Sequence, residues 1–215
     1  PAFGVHPEMY KISSMTDKHI DFSIHSGYYD YIELSISSVA AYQVMNAAEA
    51  VTAIKALDGG AEFTADTIRR GIDAMRWQGR METVLPGGII DGAHNEAGVE
   101  EFVKTAKRLE KDYPVTLLFA AVDDKDYPSM LQTICRELRP ERVIVTEVGG
   151  YRAVEAEKSA ALFRQSGMDK ITAYADAEEA FAAALREKAD GILFCVGSLY
   201  LAGSIKGILR RMSHD

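Results

Sequence analysis

No run in this 215-residue chain approaches the roughly 20 consecutive apolar residues that a membrane helix requires. No basic-then-apolar leader opens it either, so a cytoplasmic location is the expectation. Cysteine is nearly missing. The two present, Cys135 and Cys195, lack metal-ligand spacing and supply no disulfide framework. Cys195, inside Ile192-Leu193-Phe194-Cys195-Val196, reads as a buried apolar filler. Positive charge is the minority, 24 Lys and Arg against 32 Asp and Glu for a net charge of -8, which weighs against a binder of nucleic-acid backbone. Its one basic cluster, Lys206 to Arg211, reads as the polar side of a terminal helix. Phosphate loops are missing too. There is no Gly-x-x-x-x-Gly-Lys-Ser/Thr and no Gly-x-Gly-x-x-Gly after a strand, so nothing cradles a triphosphate or dinucleotide in the usual way. Pro1 rather than Met opens the chain, which points to a piece of something longer.

What is present is ordinary globular composition, 47% apolar and 26% charged, enough for one large domain or a domain plus part of another. Ile20 to His25 and Tyr31 to Ile36 alternate apolar and polar around a Ser26-Gly27 turn, which predicts a β-hairpin. With few other apolar residues in the first forty positions, that hairpin needs a packing partner from elsewhere. Apolar residues at three- and four-residue spacing predict a helix over 39–56, and the cap signature Thr64-Ala65-Asp66 opens another over 64–75. From Thr83 strands and helices alternate: strands at 89–91, 115–122, 142–148, 171–175 and 192–196, helices between them and a last helix over 199–211. Continuous Val/Ile/Leu/Phe runs mean strands buried on both faces, hence a mostly parallel sheet in a Rossmann-like α/β sandwich with helices on both faces.

The chain is organised around Ile89-Ile90-Asp91-Gly92-Ala93-His94-Asn95, an apolar strand that runs into an acid, a Gly-Ala pair, an imidazole and an amide just before a helix. Ligands in open α/β sheets sit outside the carboxyl ends of strands, where Asp91, His94 and Asn95 fall. Each has a plainer reading. Asp91 suits a helix N-cap, His94 a hydrogen-bonded structural histidine, Arg80 a surface charge, Ser198 the cap of the last helix, and Lys125 a solvated turn between Asp124 and Asp126. The five histidines are scattered, and no metal cluster is visible.

The segment Asp91-Gly92-Ala93-His94-Asn95 resembles the glutamate-ligase motif of the Mur ligase superfamily, specifically its folylpolyglutamate and dihydrofolate synthase branch. The resemblance continues in order through Tyr42-Gln43-Val44-Met45-Asn46-Ala47-Ala48, Trp77-Gln78-Gly79-Arg80-Met81-Glu82, Asp124-Lys125-Asp126, Arg152-Ala153 and Gly197-Ser198-Leu199-Tyr200-Leu201-Ala202-Gly203. It implies that residues 1–82 are the end of a central ATPase domain and 83–215 a C-terminal glutamate-ligase domain. It also implies an ATP-dependent ligase: the γ-phosphate passes to a folate or pteroate carboxylate, and the amine of L-glutamate attacks the acyl phosphate. On this resemblance Asn46, Arg80 and Asp91 touch ATP, while His94 and Ser198 serve the incoming amino acid. Mg²⁺ is implied, with its ligands and the phosphate loop upstream, so the chain alone is expected to be inactive. Many relatives have His-Gln where Tyr42-Gln43 stands, which removes any contact that His makes. Two other readings stay open. One is a peptidoglycan-precursor ligase of the same superfamily, against which Gly197 to Leu201 argues. The other is a non-catalytic Rossmann-like module that binds a small anion.

Overall fold

The computed structural model describes residues 4–16, 18–26, 29–58 and 63–213. The chain divides into two compact units, 1–77 and 78–215. In the first, β1 (Tyr10–Met15), β2 (Ile20–Ser26) and β3 (Tyr29–Ile36) form an antiparallel sheet in that order. Successive strand residues point to opposite faces, so Ile20, Phe22 and Ile24 of β2 join Ile32, Leu34 and Ile36 of β3 on one buried face. Two helices cover it, α1 (Tyr42–Asp58) through Val44, Ala47, Ala48 and Val51, and α2 (Ala65–Ala74) through Ile68 and Ile72. The expectation that the hairpin needs a partner from elsewhere is thereby corrected: its partners are the two helices that follow it. Strand β1 escaped the sequence pattern because Lys11, Ser13 and Ser14 leave it little apolar alternation. Thr64 caps α2 by accepting from Thr67 N–H at 3.3 Å. The anticipated turn at Ser26-Gly27 reaches outside the described residues at Gly27.

The second unit is a six-stranded sheet in the order β4-β5-β9-β6-β7-β8. Its strands are β4 (Glu82–Leu85), β5 (Gly88–Ile90), β6 (Val115–Phe119), β7 (Arg142–Val145), β8 (Ile171–Ala173) and β9 (Ile192–Val196). All pairings are parallel except β4 on β5, which places Glu82 opposite Ile90. Between the strands run α3 (Glu96–Glu110), α4 (Tyr127–Glu137), α5 (Ala156–Gln165) and α6 (Ala177–Glu187), and α7 (Leu199–Met212) follows β9.

Alternation again decides which helix goes where. Leu118, Ala120, Leu193 and Cys195 face α6 and α7, packing on Phe181, Leu201 and Ile205. Their neighbours point the other way: Phe194 meets Phe102 of α3, and Phe119 meets Phe163 of α5, both as edge-to-face pairs with centroids 5.4 and 5.6 Å apart. The sheet is therefore buried on both sides, as its unbroken apolar runs require. Cys195 sits inside it, and burial drives its thiol far above the ordinary range. Among the described residues no helix is long and apolar enough to cross a membrane.

Candidate functional site

Strand β9 lies between β5 and β6, so the carboxyl ends of these three strands bring distant residues to one edge. Asp91 follows β5 and ties it to β9 by donating its N–H to Cys195 O at 2.8 Å. Gly197 and Ser198 follow β9. Ser198, 2% exposed, caps α7 by accepting from Tyr200 N–H at 3.1 Å. Its hydroxyl proton remains free to donate, and the first-turn N–H groups of α7 favour an anion nearby.

Asp91 is not the helix cap its position allows. Asn95 takes that role, accepting from Gly98 N–H at 2.8 Å. The Asp91 carboxylate, 4% exposed, instead accepts from Ala93 N–H at 2.7 Å and Met81 N–H at 2.8 Å. Burial raises its pKa above the ordinary 3.8, outweighing those two N–H groups and the nearby Arg80 and His94, which lower it. His94 Nδ1 lies 2.8 Å from Gly92 O. A carbonyl only accepts, so Nδ1 carries the proton, and in the neutral ring Nε2 is left as an acceptor.

Arg80 sits in a tight loop laid against this strand end. Gly79 and Met81 on either side both take left-handed backbone, φ +64° and +47°, which costs an L-residue such as Met81 roughly 1–2 kcal/mol. Gly79 O accepts from Gly92 N–H at 2.7 Å, and Met81 N–H is the group Asp91 holds. A Cβ on Gly92 would meet Leu199 and stand 2.8 Å from Arg80 Nη1 and 3.1 Å from Gly79 O, so only glycine lets the loop come this close. Arg80 Nη1 is 3.3 Å from Gly79 O, and among the described residues it forms no ion pair. A half-buried guanidinium at a strand end, bonded to one backbone carbonyl and to no carboxylate among the described residues, suits a phosphate-bearing ligand.

Asn46 belongs to the other unit, exposed on α1 and donating to Gln43 Oε1 at 2.8 Å. Lys125 is exposed in the turn between β6 and α4. Its neighbour Asp126 caps α4, accepting from Ser129 N–H at 3.1 Å.

Two groups at this edge had no role assigned from the residues. Arg152 donates to Asp124 at 3.2 Å and to Tyr200 Oη, and its guanidinium lies 5.4 Å from the Tyr200 ring centre. Both residues lie in segments that carry the resemblance, but nothing in spacing alone links them. Lys206, taken as part of a helix's polar side, bonds Glu82 at 2.8 and 3.1 Å and Gln78 at 3.1 Å. Among the described residues no group of three or more His, Cys, Asp or Glu side chains is placed to hold a metal ion.

Residues 79–199, from the Arg80 loop to the start of α7, match the family described as Mur ligase, glutamate ligase domain. The chain belongs to that family. Within the Mur ligase glutamate-ligase family it is 30% identical over 181 residues to the folylpolyglutamate synthase of Lacticaseibacillus casei, covering 82% of this chain and 40% of that protein. It is 32% identical over 108 residues to the dihydrofolate synthase/folylpolyglutamate synthase of Bacillus subtilis, covering 48% of this chain and 25% of that one. The chain thus spans less than half the length of these relatives. Among solved structures, the folylpolyglutamate synthase of Thermotoga maritima superimposes with a TM-score of 0.75 at 26% identity, over 94% of this chain and 46% of that one. E. coli FolC in complex with DHPP and ADP shares the fold, with a TM-score of 0.78 at 21% identity over 96% of this chain and 47% of that one.

Proposed function

We propose that this chain is the C-terminal portion of an ATP-dependent folylpolyglutamate or dihydrofolate synthase, with residues 83–215 as its glutamate-ligase domain and residues 1–82 as the end of its central ATPase domain; the break between the two compact units falls five residues earlier, after residue 77. The observation that carries this reading is the meeting of Arg80, Asp91, His94 and Ser198 at one sheet edge in a member of the glutamate-ligase family. ATP supplies the phosphoryl group that turns a folate or pteroate carboxylate into an acyl phosphate, and L-glutamate is the incoming amine. The residues divide by chemistry. The Arg80 guanidinium faces phosphate, and Asp91 serves it by fixing Met81 and Ala93. Asn46 is assigned to ATP on the family resemblance alone. His94, held by its Nδ1 bond to Gly92 O, offers Nε2 to the glutamate amine, and the Ser198 hydroxyl with the α7 N-terminus receives a glutamate carboxylate. The divalent ion that accompanies ATP, Mg²⁺ on this reading, finds no ligand set among the described residues, and its ligands are assigned to the upstream part of the enzyme.

The test uses the intact enzyme that carries this chain. Arg80→Ala is expected to raise the KM for ATP, and His94→Ala or Ser198→Ala the KM for glutamate. Each loss should be about 1–3 kcal/mol, the cost of one buried hydrogen bond to a charged group. If all three leave both KM values and kcat unchanged, the site residues are caps and surface charge and the proposal fails. A peptidoglycan precursor used in place of folate would select the sister ligase, and absence of any ATP-dependent amide formation the anion-binding module. The chain as it stands, with no phosphate loop, is expected to show no folate- and glutamate-dependent phosphate release.

A further inference from the structure

Helix α7 carries Leu199, Ala202 and Lys206 at three- and four-residue spacing, which puts them on one stripe of its surface. All three meet the loop that holds Arg80. Leu199 and Arg80 fill the space beside Gly92, Ala202 Cβ packs where a Gly79 side chain would begin, 3.6 Å away, and Lys206 reaches the two ends of the loop. Lys206 Nζ lies 2.8 and 3.1 Å from the Glu82 carboxylate and 3.1 Å from Gln78 Oε1, and Glu82 accepts in turn from Gly79 N–H at 2.6 Å. The pair is only 22% and 25% exposed, against 61% and 59% for Arg211 with Glu178. Solvent screens it correspondingly less.

From this arrangement we infer that the Lys206–Glu82 ion pair is a positioning pair for the nucleotide, clamping residues 78–82 so that Arg80 is held at the strand end before any ligand arrives. The loop needs such a clamp because its left-handed turn at Met81 is unfavourable by itself. Asp91 grips one side through Met81 N–H, and Glu82, charged and neutralised by Lys206, grips the other through Gly79 N–H. The same helix begins at Ser198, so one rigid element sets the height of both proposed ends of the site. This inference rests on the nucleotide reading of Arg80 given above.

The experiment is again made on the intact enzyme, with hydrogen exchange followed at the Met81 and Gly92 amides, which bond Asp91 and Gly79 O. Lys206→Met keeps the apolar stem and removes the charge, and Glu82→Gln keeps an acceptor for Gly79 and removes the ionic partner. Both are expected to speed exchange at those two amides and to raise the KM for ATP, each on the order of tenfold for one charge-assisted bond lost. The KM for glutamate and exchange in β6 should hold, and Lys206→Arg should recover most of the ATP affinity. If Arg80→Ala raises the ATP KM while Lys206→Met and Glu82→Gln match wild type, the inference alone is overturned. If Arg80→Ala leaves the ATP KM unchanged, the nucleotide reading is overturned and the inference falls with it.

Discussion

At the scale of the residue, Asp91 shows how a side chain is placed by what it must hold. Its folded pKa lies above the ordinary 3.8 because it is buried. In the window between 3.8 and the folded value the folded state keeps a proton that the unfolded state has lost. Asp91 therefore favours folding more as pH falls through that window, and its charge is a cost at neutral pH. Relative to Asp91→Asn, which does not titrate, the wild type should gain thermal stability from pH 7 down towards pH 4. A constant difference in melting temperature across that range would refute this. Ser198→Ala should cost about 1 kcal/mol in chemical denaturation through its lost cap bond to Tyr200. The polar residues of this edge were legible in sequence because motif order and strand-end position select them. Their partners were not. Asp91 reaches Met81 N–H and Lys206 reaches Glu82, and both links depend on how the chain folds back, which no local spacing records.

Among elements, the five parallel strands were readable because burial on both faces writes itself as continuous apolar runs. Strand β4 was missed: Glu82-Thr83-Val84-Leu85 is short and lies at the sheet edge, half of it polar. Strand β1 was missed for the same reason. Predicted strand ends ran past those observed at β6, β7 and β8; Ala120, Ala121 and Val122 stay buried after Phe119, and Thr146 and Val148 after Val145, without belonging to the strands. The central strand β9 carries the strictest demands. Gly197 has φ +113°, and a Cβ there would strike Ala120 O and stand 2.6 Å from the Phe119 ring. Gly197→Ala should therefore destabilise the unit by about 3 kcal/mol or more, combining backbone strain with overpacking. Three residues earlier, inside β9 itself, Phe194→Ala should cost about 3–5 kcal/mol by emptying the space beside Phe102. Urea titration followed by circular dichroism measures both. A loss under 1 kcal/mol at Gly197 would mean that β6 and β9 can part without penalty.

For the whole molecule, each compact unit has its own apolar core. Residues 78–215 produced alone are expected to unfold in one cooperative urea transition, and Phe194→Ala should lower that midpoint without moving the transition of residues 1–77. A single transition in the full chain that shifts as one with Phe194→Ala would show the units to be energetically inseparable. The reversed direction of β4 has a mechanical consequence. Because Glu82 stands opposite Ile90, the polypeptide enters the second unit at the edge where the parallel strands end, not at their beginnings. Tension on the segment before Gln78 is thus borne first by the bonds of the 78–82 loop, Lys206 to Gln78 Oε1, Gly79 N–H to Glu82, Gly92 N–H to Gly79 O and Met81 N–H to Asp91, before the ladder of the sheet is loaded. A pull there is expected to release Arg80 before the sheet gives way.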